Sequence, residues 1–108
     1  MITVTANRKK LELTVKGHSP VDDRTGRSLV CCAASTLFYA LAYNVGKRNE
    51  EKENLIDFQF RDESGDACMK ICPEGYAYIG YSSIFDHFLN GFRMLEENYP
   101  EQVKVIEE

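Results

Sequence analysis

The sequence predicts an α+β fold: a single mixed or antiparallel sheet with two helices on one face, in the order ββαββαβ, forming one domain over 1–108. Three observations predict it. Apolar and polar residues alternate in four short stretches, the period of strands with one buried face. Two longer stretches repeat their apolar residues every three or four positions, the period of helices packed on something. Finally, 108 residues with a 44% hydrophobic share suit one core, without low-complexity tracts that would keep the chain unfolded.

The elements follow in order. Ile2, Val4 and Ala6 alternate with threonines and read as a strand. Asn7–Lys10 is polar and turn-like, and Leu11, Leu13 and Val15 form the second arm of a hairpin that delivers Gly17-His18 at its far end. Pro20, Asp22-Asp23 and Gly26 mark residues 19–27 as a loop. Ser28 is a good N-cap for a helix over 29–45, whose apolar stripe is Val30, Ala34, Leu37, Leu41 and Val45 with Phe38 beside it, ending near Gly46. The segment "KRNEEKEN" reads as a solvated connector. Ile56, Phe58 and Phe60 give a third strand, "DESG" a turn, and Ala67, Met69 and Ile71 a fourth strand broken by Pro73 and Gly75. Tyr76–Ile79 reads as a strand end or loop. Ser83 then caps a second helix, with Asp86 at the capping-box position, Ile84, Phe88 and Leu95 as its stripe, and Phe85, Leu89 and Phe92 flanking it. Pro100 stops the helix, and Val103-Lys104-Val105 forms a short closing strand.

Composition excludes several function classes. A net charge of −4 argues against a nucleic-acid surface, which shows a basic face, and the one basic cluster, Arg8-Lys9-Lys10, falls on a turn. The longest apolar run, around Leu29–Ala34, is too short to span a bilayer. Met1-Ile2-Thr3-Val4 lacks the basic-then-apolar pattern of a signal peptide, so the expected compartment is the cytoplasm, with no membrane partner. The four cysteines are then expected as reduced thiols. Metal binding is disfavoured by spacing. Cys68 and Cys72 lie on a predicted strand, which at about 3.3 Å per residue separates their backbones by roughly 13 Å, whereas zinc needs sulfurs about 4 Å apart. Cys31 and Cys32 are helix neighbours pointing about 100° apart. No cofactor or metal is expected. The carboxylate pairs at 22–23, 50–51 and 96–97 fall in loops or on helix ends, and His87 lies in the first turn of the second helix as an exposed or capping residue.

What remains is "GHSPVDDRTGRSLVCCAAS", residues 17–35. A cysteine attacks as its thiolate, and a free thiol is mostly protonated at neutral pH. If Ser28 is the N-cap, Cys31 and Cys32 both sit in the first turn, where unpaired amides favour negative charge. That effect is worth about 0.3–1 kcal/mol, against about 1.4 kcal/mol for one pKa unit. A second contributor is needed, and an imidazolium at His18 is the candidate, in a thiolate–imidazolium pair. Spacing does not choose between the two cysteines. First-turn amides, including that of Cys31 or Cys32, are the expected oxyanion donors.

The stretch resembles the ribosomal-processing cysteine protease Prp family, in which a Gly-His-Ala motif precedes, by about a dozen residues, Asp-Ile-Val-Cys-Ala-Ala-x-Ser. Leu29 and Val30 precede Cys31, and Ser35 follows it by four positions, so the resemblance implies Cys31 as nucleophile, His18 as general base and Cys32 as a packing residue. The chain length, the element order and the aromatic-rich second helix also match. The resemblance implies an endopeptidase that removes an N-terminal extension from a basic large-subunit ribosomal protein, the twenty-seventh, next to bulky aromatic residues. It also implies a homodimer. Three positions depart from the pattern: Ser19 replaces alanine, the His–Cys loop is one residue longer, and Ser28 replaces an aspartate, so that no carboxylate is supplied to orient His18. The competing expectation is a non-enzymatic dimeric ribosome-associated binding protein on the same fold. Phe38, Tyr39, Tyr76, Tyr78 and Tyr81 are candidate groove, interface or core residues.

Overall fold

The computed structural model of the protein describes residues 1–52 and 54–108. The strands are β1 (Ile2–Asn7), β2 (Glu12–Gly17), β3 (Leu55–Glu63), β4 (Asp66–Pro73) and β5 (Val103–Glu107), and the helices are α1 (Leu29–Lys52) and α2 (Tyr78–Asn98). The expected ββαββαβ order is the observed one. The five strands form one mixed sheet in the order β3-β4-β2-β1-β5. Every neighbour pair is antiparallel except β1 with β5, whose parallel register pairs Val4 with Val105. A parallel arrangement cannot be closed by a tight hairpin and needs a crossover, which α2 supplies on the way from β4 to β5.

One face of the sheet is buried. Ile2, Val4 and Ala6 of β1, Leu13 of β2, Met69 and Ile71 of β4 and Val103 of β5 join the buried stripes of α1 and α2 in a single cluster. The alternation read from the sequence is thus the inward half of each strand. Each fully buried large side chain contributes about 1.5–3 kcal/mol through the apolar area it removes from water. By length and composition α1 is apolar enough to cross a membrane, but Val30, Ala34, Phe38, Leu41 and Val45 are committed to this core.

Four expectations are corrected. First, α1 does not stop at Gly46. It continues to Lys52, through most of the expected connector, whose Glu53 lies outside the described residues. A helical glycine costs only about 1 kcal/mol, and the added turn is tied down: Lys47 pairs with Glu50, and the Arg48 guanidinium lies 5.4 Å from the Tyr81 ring centroid.

Second, Tyr76–Ile79 is neither strand nor loop. A 3₁₀ turn at Gly75–Ala77 leads directly into α2, which starts five residues before the expected cap at Ser83. The early start is held by distant partners. Tyr81 is fully buried and donates its hydroxyl to Asn54 Oδ1 at 2.7 Å, and Tyr78 donates to the Arg8 carbonyl at 2.8 Å. Gly80 leaves room for Arg48, whose guanidinium a Cβ would strike.

Third, the helix stripes are rotated. Phe38 rather than Leu37 is buried on α1, and on α2 the expected flank of Phe85, Leu89 and Phe92 is the centre, with Ile84 and Phe88 only half-buried. Close approach of the helices sets this, since a Cβ at Gly91 would come within 2.7 Å of Leu37 Cδ2.

Fourth, β3 is an edge strand with a register irregularity between Leu55 and Asp57, which leaves Ile56 68% exposed instead of core-facing. A one-residue slip of this kind sends a side chain to the opposite face.

Candidate active site

The site forms where the end of β2, the β3–β4 turn and the start of α1 converge. β2 ends at Gly17, which adopts φ 100° and donates its N–H to the Gly65 carbonyl at 2.9 Å. A Cβ at Gly17 would collide with the Met1 carbonyl oxygen, so only glycine lets the chain turn here. His18 follows, with its carbonyl accepting from the N-terminal ammonium at 2.7 Å. Its imidazole is exposed and rests against Gly65. Gly65 has φ 73°, and a Cβ there would overlap the imidazole at Nε2.

From His18 the chain dips inward. Ser19 is buried, and both its N–H and its Oγ lie 3.2 Å from Cys31 Sγ. The exposed loop beyond it closes on itself: Asp22 N–H donates to the Arg27 carbonyl at 2.8 Å, and the Asp22 carboxylate accepts from Arg24 N–H at 2.7 Å. The loop then delivers Ser28 to the start of α1. The Ser28 hydroxyl accepts the Cys31 N–H at 3.1 Å, and its carbonyl accepts the Cys32 N–H at 3.1 Å. This is the capping geometry expected of Ser28. It also corrects the expected oxyanion donors, because both of those amides are spent on the cap.

Cys31 is half-buried and Cys32 is exposed. Burial pushes the Cys31 thiol up, but the hydroxyl and N–H of Ser19 outweigh it, aided by the Ser28 hydroxyl and the positive N-terminus. The net effect holds Cys31 below the ordinary value of 9.0. A thiolate accepts these hydrogen bonds better than a thiol does, which is why they favour ionisation.

His18 and Cys31 line the same cleft, of about 430 Å³. Phe38 and Tyr39 of α1 form one wall, and the β3–β4 turn with Asp62, Glu63 and Asp66 forms the other. Tyr39 donates its hydroxyl to the Asp62 carboxylate, linking the walls. Among the described residues no hydrogen bond joins the His18 and Cys31 side chains; the sulfur's partners are both on Ser19.

The other candidates lie elsewhere. His87 is on the exposed side of α2, beside Tyr78 and Asp86. Cys68 and Cys72 alternate with the buried Met69 and Ile71 and so face away from the helices, with Thr14 donating to Cys68 Sγ at 3.8 Å. Among the described residues no three His, Cys, Asp or Glu side chains gather closely enough to hold a metal ion. Of the tyrosines, Tyr81 belongs to the core and Tyr76 is 81% exposed. The sequence reading missed Ser19 and Gly65 as parts of the site. Ser19 directly follows His18 and is a hydroxyl where the resemblance expects alanine, but no local pattern says that it reaches a sulfur twelve residues on.

The model of the family "Cysteine protease Prp" matches residues 1–104. The chain belongs to this family. Among solved structures, a crystal structure of the essential ribosomal processing protease Prp from S. aureus, with a covalently linked product peptide, superposes with a TM-score of 0.70 at 19% identity over 100% of both chains. A second structure of that protease, in complex with a substrate peptide, gives 0.63 at 16% identity, covering 99% of this chain and 97% of the other. SMU.848 from Streptococcus mutans gives 0.65 at 23% identity, covering 98% and 90%. No curated protein matches the sequence. Family membership makes this a cysteine protease, and the structural likenesses establish the shared fold.

Proposed function

We propose that the protein is an endopeptidase that uses Cys31 and His18 as a dyad to remove the N-terminal extension of a basic large-subunit ribosomal protein, the twenty-seventh. The observation that carries this reading is a thiol at the first turn of a helix, held below its ordinary pKa and sharing a cleft with an exposed imidazole. Cys31 Sγ attacks the scissile carbonyl. His18 removes the thiol proton and later delivers one to the leaving amine, and water then releases the acyl group from sulfur with His18 as base. The imidazole swings from Gly65 toward the sulfur when substrate fills the cleft, since catalytic hydrogen bonds commonly tighten only in the complex.

Two features of the cleft support the substrate class. Phe38 and Tyr39 offer an aromatic wall to bulky side chains beside the cleaved bond, and Asp62, Glu63 and Asp66 place acidic groups along the opposite wall for a basic chain. The protein acts as a cytoplasmic homodimer, without binding nucleic acid or membrane directly.

The test is incubation of the purified chain with a peptide spanning the extension junction of the host's own ribosomal protein, followed by mass spectrometry. One cut next to the aromatic residues, abolished in Cys31→Ala and in His18→Ala, is expected. Binding without cleavage in the unmodified protein overturns this substrate and dyad assignment.

A further inference from the structure

We propose that Ser19 is the thiolate-stabilising residue of this site, donating both its N–H and its hydroxyl to Cys31 Sγ, with Ser28 as a positioning residue that fixes the direction of that hydroxyl. The inference rests on the reading of Cys31 as the nucleophile but concerns the sulfur itself.

Ser19 and Ser28 are only 6% and 8% exposed, so their hydroxyls need partners within the fold. Each hydroxyl has one proton to give. Ser28 Oγ already accepts the Cys31 N–H, and it is in hydrogen-bond contact with Ser19 Oγ. Ser19 Oγ in turn lies 3.2 Å from Cys31 Sγ. If Ser28 donates to Ser19 and Ser19 donates to sulfur, every proton has an acceptor and the circuit closes on the residue where it began. Sulfur then receives two donors from one residue, the hydroxyl and the N–H, both at 3.2 Å. Either hydroxyl direction leaves the Ser19 N–H on sulfur; with Ser28 donating to Ser19, the Ser19 hydroxyl joins it, and two donors on one sulfur favour the thiolate.

The contact is also shorter than another hydroxyl–thiol contact in the same molecule. Thr14 Oγ1 lies 3.8 Å from Cys68 Sγ, in a half-buried setting where no second donor among the described residues reaches the sulfur. In this circuit two hydroxyls take over the polarity that a carboxylate at position 28 would bring, but they aim it at the sulfur instead of at the imidazole.

The experiment is the pH profile of Cys31 alkylation by iodoacetamide, read by peptide mass spectrometry in the full chain carrying Cys32→Ser so that the peptide reports one sulfur. Ser19→Ala keeps the N–H and removes only the hydroxyl. It is expected to raise the alkylation midpoint by about one pH unit, the size of one lost bond to a charged group. At a fixed pH well below the midpoint the rate falls only about threefold, because the rarer thiolate is more nucleophilic. Ser19→Thr restores the midpoint. Ser28→Ala raises it too, and the double variant raises it no further than Ser19→Ala alone, as groups acting in series do. An unchanged midpoint in a folded Ser19→Ala protein overturns the inference, even if its melting temperature drops, since that is the signature of a packing role. A midpoint that moves in a protein without peptidase activity leaves this inference standing and removes the functional reading. Normal peptide cleavage with an unmoved midpoint does the reverse.

Discussion

The chain repeats a layout: β1, β2 and α1 make one strand–strand–helix unit, and β3, β4 and α2 make another. The two differ most where the helix starts. Between β2 and α1 the chain spends residues 18–28 on a loop whose two ends, Ser19 and Ser28, are buried, and the helix opens on a side-chain cap from Ser28 with a sulfur in its first turn. Between β4 and α2 it spends Glu74 and a 3₁₀ turn, and the helix opens at Tyr78 with no side-chain cap. Both starts carry the same partial positive charge from unpaired amides. Only the first adds hydrogen-bond donors aimed at a titratable group, with an imidazole across a cleft. A helix start by itself is therefore not a reactive site; the loop that returns Ser19 to the sulfur makes it one. The second start binds itself instead, through Tyr81 to Asn54 and Arg48 over Gly80.

The sharpest way to break this comparison is to remove the dyad. Cys31→Ala and His18→Ala are each expected to lower peptide cleavage by roughly a thousandfold or more, while His87→Ala, which lies inside α2 and not in its first turn as the sequence suggested, leaves cleavage unchanged; kcat from a continuous peptide assay decides. Next comes Gly65→Ala, which forces a side chain into the left-handed region and against the His18 ring. It is expected to destabilise the fold by about 1–2 kcal/mol and to lower kcat while leaving KM for the peptide nearly unchanged. Unaltered kcat would mean that the imidazole does not depend on this turn.

The caps sharpen the comparison further. Ser28→Ala is expected to cost about 1 kcal/mol in denaturant unfolding, as lost caps do. Ser83→Ala, at the position that reads as a cap in the sequence, lies inside α2 and exposed, and should cost less than about 0.5 kcal/mol. Equal costs would contradict the observed helix starts. The smallest effect is in the pH dependence of stability. Because the folded state holds the Cys31 pKa below its ordinary value of 9.0, its contribution is fully present above that value and is lost as pH falls through the lower folded one. Between those two values stability therefore rises with pH on this account, and Cys31→Ala should flatten that part of the curve in thermal melts.

Local rules made much of this molecule legible. Alternation at 2–6, 11–15 and 67–71 identified three strands and their buried sides, because a strand's period is written in adjacent residues. Ser28 was recognisable as a cap, but Cys32, expected as a packing residue, is exposed, because the first turn of α1 points it away from the sheet and α2. The end of α1 and the start of α2 were not legible, because they depend on partners far along the chain. Arg48 meets Tyr81 and Gly80, and Tyr78 meets Arg8, over separations at which a turn-rich string such as "GYAYIGYSS" says nothing of its neighbours. Ile56 was misassigned for the same reason: a register irregularity is settled between two strands and is invisible in either alone.

The sequence by itself determined the order of elements, the inward face of most strands and the cap on α1, since periodicity and capping act over a few residues. Tertiary structure alone decided that β4 lies between β3 and β2, so that the β3–β4 turn closes over the end of β2 and Gly65 meets His18. It also decided that the loop after His18 folds back to set Ser19 on the sulfur. These contacts arise from strand pairing and loop closure between distant segments, and the free energy that selects them belongs to the packed whole.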